Sequence, residues 1–174
     1  MPPCVNVSRP LPASRCSSLQ VSWRARNGRR KHCGHRPTNS FFRRSTPQER
    51  RFTLCKADGA QFAWNLKGVD AQLTDKDGKP FGKHYSGPTW EANDSSRITG
   101  KAAANYPSPD KDAIPWLLLS VASHSGEGAL TKVTSIQRLN TRGGKAPAGG
   151  CDKAHVDQEV RIPYTADYVF FAAK

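Results

Sequence analysis

The chain is 174 residues long and carries 27 Lys and Arg against 14 Asp and Glu, a formal net charge of +13. That length allows one domain with an appendage or two very small ones, and no apolar run approaches the about 20 residues a membrane helix takes. Residues 1–51 hold 12 basic residues against the single acid Glu49, so the high pI belongs to one end and residues 52–174 are nearly neutral. Overall charge therefore gives no argument for nucleic-acid binding by the main part of the chain.

Residues 1–51 are rich in Arg, Ser and Pro, and their large apolar residues are scattered singly apart from Phe41-Phe42. Such a composition buries too little apolar surface to offset the entropy of ordering, so a disordered basic tail is expected through residue 51. Basic residues without a following apolar stretch do not make a secretory signal, although the Arg- and Ser-rich, acid-poor composition matches an organelle transit peptide. GC-rich DNA read in a wrong frame gives a similar composition, and the tail is read here as such a non-native segment. Lys31-His32-Cys33-Gly34-His35 is metal-like in composition but lacks a second ligand pair.

From Phe52 the pattern becomes short strands with punctuation. Phe52–Cys55 ends at Asp58-Gly59, and Gln61–Lys67 alternates so that Phe62, Trp64 and Leu66 share one face that is expected to be buried. Ala71–Thr74 and Pro80–Tyr85 flank Asp75-Lys76-Asp77-Gly78, a hairpin signal. That acidic turn lacks the further oxygen ligands of a calcium loop. Gly87-Pro88 turns the chain before Thr89–Ala92, and a weaker strand runs over Arg97–Ala103. Ile114–Val121 is the longest nearly unbroken apolar run, read as a central strand covered on both faces. It is expected to pair antiparallel with Lys132–Asn140, in which Val133 and Leu139 face opposite to Ile136. One helical turn is expected within Asp152–Gln158, and two last strands within Glu159–Phe171. About ten short strands without a convincing amphipathic helix read as an all-β fold, an antiparallel β-sandwich or barrel-like domain over residues 52–174. Cys55 and Cys151 stand near its two ends, so a disulfide could close most of it into one loop and would imply an oxidising compartment; two unlinked thiols are the alternative.

Four separated phrases, in order, resemble domain-of-unknown-function family 3455, found in bacteria and fungi. They are His84–Glu91, Ile114–Leu119, Gln137–Gly144 with Pro147 and Cys151-Asp152, and Pro163–Tyr168. The resemblance covers about residues 52–172. It implies an exported protein of the periplasm, cell envelope or extracellular space, with no established activity; the export signal usual in the family is not visible here.

Candidate chemistry is thin. His84, Glu91 and His124 would make a hydrolytic or metal-dependent site if their segments converged, but no preassembling spacing exists and ordinary loop or strand-end residues are the simpler reading. Serines beside histidines, at Ser86 and Ser125, lack the nucleophile elbow. No G-x-G-x-x-G follows a strand, so no nicotinamide cofactor is expected, and neither is a resident metal. Tyr85 and Trp90 are the candidate ligand-binding pair. Trp90, after a Gly-Pro turn, is the tryptophan expected to be exposed, lining an aromatic cleft for a carbohydrate or small molecule, while Trp64 and Trp116 are expected in the core. The basic tail would give salt-sensitive, non-specific phosphate binding, with no motif for reading a specific nucleic acid. The leading expectation is a binding or structural β-domain of the cell envelope or extracellular space, without a transmembrane segment. The sequence names no ligand, envelope partner or oligomeric state.

Overall fold

The computed structural model describes residues 39–45 and 49–173. Nine strands lie in chain order: β1 (Asn39–Ser45), β2 (Arg50–Asp58), β3 (Gln61–Thr74), β4 (Pro80–Tyr85), β5 (Thr89–Ala92), β6 (Arg97–Tyr106), β7 (Trp116–Ser125), β8 (Val133–Gly143) and β9 (Glu159–Ala172). All pair antiparallel in a single sheet, and the β3–β4 pairing closes it on itself. β1 and β2 both lie between β9 and β3, β1 against residues 167–172 of β9 and β2 against residues 159–163. They share one place in the wall, which leaves eight places around the circuit. The expected antiparallel sandwich or barrel is thus a closed barrel. Closure removes the unpaired edges of an open sheet, and eight strands enclose a space that side chains either fill or leave for one small ligand.

Local chemistry accounts for several connections. Asp75 Oδ1 accepts the backbone N–H groups of Asp77 and Lys79, at 2.9 and 3.0 Å, and Gly78 supplies a positive φ of 81°. This is the hairpin turn expected there. The Ser125–Gly128 loop joins β7 to β8 as expected, with Leu117 opposite Arg138 and Leu119 opposite Ile136. The helical turn is a 3-10 segment over Lys153–His155, its first turn capped by Asp152. Cys55 and Cys151 are bonded across 96 residues of sequence. In the chain-entropy model such a loop stabilises the fold by at most about 4.7 kcal/mol.

Four expectations need correcting. The tail expected to be disordered through residue 51 enters the barrel at Asn39: Phe41 stacks on Phe170 with centroids 5.1 Å apart, and Glu49 is fully buried. A barrel strand makes its main-chain bonds whatever its composition, and only alternate side chains must suit the interior. Composition alone therefore understates the order of this segment. Residues before Asn39, the Lys31–His35 cluster among them, lie outside the described residues.

The central apolar run is a strand, but it is not covered on both faces. A single-layer wall gives β7 one inner face, occupied by Leu117, Leu119 and Val121, and among its residues Leu119 alone is fully buried. Val133 and Ile136 face the same way rather than oppositely, because a bulge at Thr134 shifts the register against β9; both are fully buried. Finally, Phe62, Trp64 and Leu66 lie on the part of β3 that pairs with β2 alone, beyond a register shift opposite Phe52 and Thr53. Leu66 is 56% exposed, and Trp64 is held at the surface by its indole N–H donating to the Gly149 carbonyl at 2.9 Å.

The core occupies one end of the barrel. Phe41, Phe81 and Phe170 form an aromatic cluster, with Leu73, Leu130, Val133 and Ile136 packed around it. Among the described residues no helix is long and apolar enough to cross a membrane.

Candidate functional site: a cavity at the open end of the barrel

The other end of the interior is not filled. A cavity of about 540 Å³ opens there, within the range of small-molecule sites. Its floor is a cluster of rings. His84 and Trp90 are paired across β4 and β5 and stack at 4.3 Å with planes 7° apart, while Tyr168 meets both edge-on, at 5.4 and 5.8 Å. Trp90 also meets Phe170 edge-on at 6.5 Å, which joins the floor to the packed end. Leu117 and Leu119 form an apolar wall. The rim includes the Ser86-Gly87-Pro88 turn, Gly68 and Gly100. Gly100 matters for placement: a Cβ there would lie 2.9 Å from the Trp90 ring, so glycine lets the indole lie flat against β6.

Beside the leucines, on β8 and β2, the lining becomes polar. Arg138 sits directly across from both Leu117 and Tyr168, which puts it on the inner face, and Arg51 enters from β2. Arg138 Nη2 donates to the Pro115 carbonyl at 2.8 Å, and Arg51 Nη1 donates to the Gly144 carbonyl. Burial pulls the Arg51 guanidinium below its ordinary value, and the charge of Arg138 pulls it further. The hydroxyls of Tyr164 and Tyr168 lie 3.4 Å apart. Burial raises both phenols, Tyr168 to about 12 and Tyr164 further, with Glu49 acting in the same direction, so both stay protonated at neutral pH.

His84 is buried and its Nδ1 lies 2.8 Å from the Thr89 carbonyl. A carbonyl cannot donate, so Nδ1 carries the proton and Nε2 is an acceptor. Burial pushes its pKa down to about 4, with the Arg138 charge contributing and the Thr89 bond opposing, so the ring is neutral at pH 7.

The residues singled out from sequence fall in three places. His84 and Trp90 line the cavity, but Trp90 is 1% exposed rather than the exposed tryptophan expected, since the Gly-Pro turn leads the chain straight back into the wall. Tyr85 and Glu91 belong to the outer face, where the tyrosine hydroxyl donates to Glu91 at 2.7 Å and Lys83 and Arg97 flank the carboxylate. His124 lies at the end of a cross-strand row that runs His84, Trp90, Ile98, His124, three strand spacings from His84. That is roughly 14 Å along the sheet at about 4.8 Å per strand, and its Nε2 lies 2.7 Å from the Val133 carbonyl. The trio His84, Glu91 and His124 is therefore not brought together. Among the described residues no group of three or more His, Cys, Asp or Glu is placed to hold a metal ion.

Arg51, Arg138, Tyr164 and Tyr168 were missed as site residues. The signal that would have found them is parity: Tyr164, Ala166, Tyr168 and Phe170 alternate inward along β9, and Arg138 stands two residues beyond the buried Ile136 on β8. An arginine at an inward position of a barrel strand has to be placed beside something other than aliphatic core.

No curated protein and no solved structure matches the chain. A family model described as "Protein of unknown function (DUF3455)" matches residues 51–172, the barrel from β2 to the end of β9. The chain therefore belongs to the DUF3455 family.

Proposed function

We propose that the chain is an exported β-barrel that binds one small organic molecule in the cavity at its open end. The observation that carries this reading is the 540 Å³ cavity, walled by Trp90, Tyr168, Leu117 and Leu119. Protein interiors are otherwise packed to crystal-like density, and a purely structural barrel of eight strands has no need to leave its mouth empty. Aromatic faces with a few polar groups suit an amphipathic molecule. The Cys55–Cys151 bond supports an oxidising compartment, in keeping with export. A carbohydrate lying on an exposed Trp90 is less favoured, because His84 already covers one indole face. Catalysis by His84, Glu91 and His124 is less favoured because the wall of the barrel separates the acid from the imidazole.

The test is titration of the full chain with N-phenyl-1-naphthylamine, a neutral dye that brightens in apolar sites. Saturable binding is expected, and it should disappear in the double variant Ala102→Trp/Leu117→Trp, which fills the cavity from β6 and β7. Absence of saturable binding, or equal binding by a folded filled variant, would overturn the reading.

A further inference from the structure

We infer that the ligand is an organic acid, with its carboxylate or sulfonate head between Arg51 and Arg138 and its apolar body against Trp90, Leu117 and Leu119. This rests on the cavity being a small-molecule site and assigns the chemistry of what enters it.

The inference follows from the charge inventory of the cavity. No Asp or Glu lines it, while Arg51, Arg138, Lys67 and Lys101 do; Lys67 is ion-paired with Glu159 at 2.8 Å, and the two arginines flank the aromatic floor. Each guanidinium gives one nitrogen to a carbonyl, of Gly144 and of Pro115 respectively. Among the described residues neither has a carboxylate within ion-pair distance. Two like charges held in a half-buried space without a counterion are costly, and an entering anion relieves both at once.

Geometry adds to this. Arg138 is in register with Tyr168 on one side and Leu117 on the other. An acid held there therefore has its head at the guanidinium and its body on the apolar wall. Arginine forks match a planar carboxylate through paired N–H groups. The neighbouring acid is Glu49, which is fully buried and acts on both phenols but does not line the cavity. His84 is neutral, so it adds no further positive charge to the lining. A cationic ligand would meet two arginines, two lysines and no lining carboxylate. A neutral one would leave both guanidinium groups unneutralised.

The experiment compares two dyes on the same aromatic body: N-phenyl-1-naphthylamine, and 1-anilinonaphthalene-8-sulfonate, which adds one sulfonate. With the full chain in low salt, the sulfonate should bind at least ten-fold more tightly. Arg138→Gln and Arg51→Gln should each weaken the sulfonate about ten-fold more than they weaken the neutral dye. The filled variant Ala102→Trp/Leu117→Trp should lose both. Equal affinity for the two dyes in the unmodified chain overturns the inference by itself, even if an arginine variant fails to fold. So does sulfonate binding that survives in the filled variant, since it would then lie elsewhere on the basic chain. Retained neutral-dye binding without anion preference defeats this inference alone, whereas loss of all cavity binding defeats the proposed function as well.

Discussion

Two adjacent layers of the barrel interior differ in kind although they come from the same strands. In one, Leu119, Ile136, Phe170 and Phe41 stand side by side across β7, β8, β9 and β1. Two residues along each strand, the next layer holds Leu117, Arg138, Tyr168 and Arg43. The first is wholly apolar, and Ile136 and Phe170 in it are fully buried. The second carries two guanidinium groups and a phenol, and the cavity begins there. Arg43 is accommodated by lying over the rings of Phe81 and Phe41, at 4.0 and 4.9 Å. Alternation decides which residues point inward; residue type then decides whether a layer closes or stays open.

The largest expected effect lies in the closed layer. Phe170→Ala should cost about 3–5 kcal/mol, because the rings of Phe41, Phe81 and Trp90 cannot collapse into the space it leaves. Urea denaturation of the variant checks this, and a loss under about 1 kcal/mol would mean that this end is as loose as the other.

The next effect is a pH dependence at the boundary between the layers. Well above pH 6.5 His84 is neutral whether the chain is folded or not, so it adds no pH-dependent term there. As the pH falls from 6.5 towards 4, the unfolded chain takes up a proton that the buried ring, with its pKa near 4, refuses. Stability therefore falls across that window, by about 3 kcal/mol in all. Denaturation at pH 7 and 4.5 should show the loss in the unmodified chain and less than half of it in His84→Gln. Asp75, Asp94 and Asp152, held below their ordinary values by hydrogen bonds, add their own losses at lower pH.

The smallest effect belongs to the open layer. Leu117 borders the cavity and is only partly buried, so Leu117→Ala loses part of a transfer term and creates no new void, about 1 kcal/mol. A cost equal to that of Phe170→Ala would erase the distinction between the layers.

What could be read in the sequence was what local chemistry settles. The turn at Asp75–Gly78 depends on one aspartate and one glycine within four residues, and β7 followed by β8 depends on two apolar runs and a loop. The Cys55–Cys151 bond was legible because those two are the cysteines of residues 52–174. The pairing of β2 with β9 that closes the circuit and the entry of Asn39–Ser45 were not legible, since both rest on main-chain bonds between distant segments. Bulges defeated parity arguments at Lys67 and Thr134, where one extra residue turns every later side chain to the other face. The site itself was half visible. His84 and Trp90 came from the right phrase, but their place inside the wall depends on Gly100, and the arginines opposite them belong to strands whose inward face only the closed barrel defines.

The claim on which the rest depends is that a small organic acid enters the mouth of this barrel. Backbone amide shifts of the ¹⁵N-labelled full chain, followed during titration with 1-anilinonaphthalene-8-sulfonate, test it most directly. The account expects the largest changes at Gly68, Gly87, Gly100, Leu117 and Arg138, with Leu130 and Val133 unmoved. Changes confined to residues before Asn39, or spread evenly over the outer wall, would contradict it.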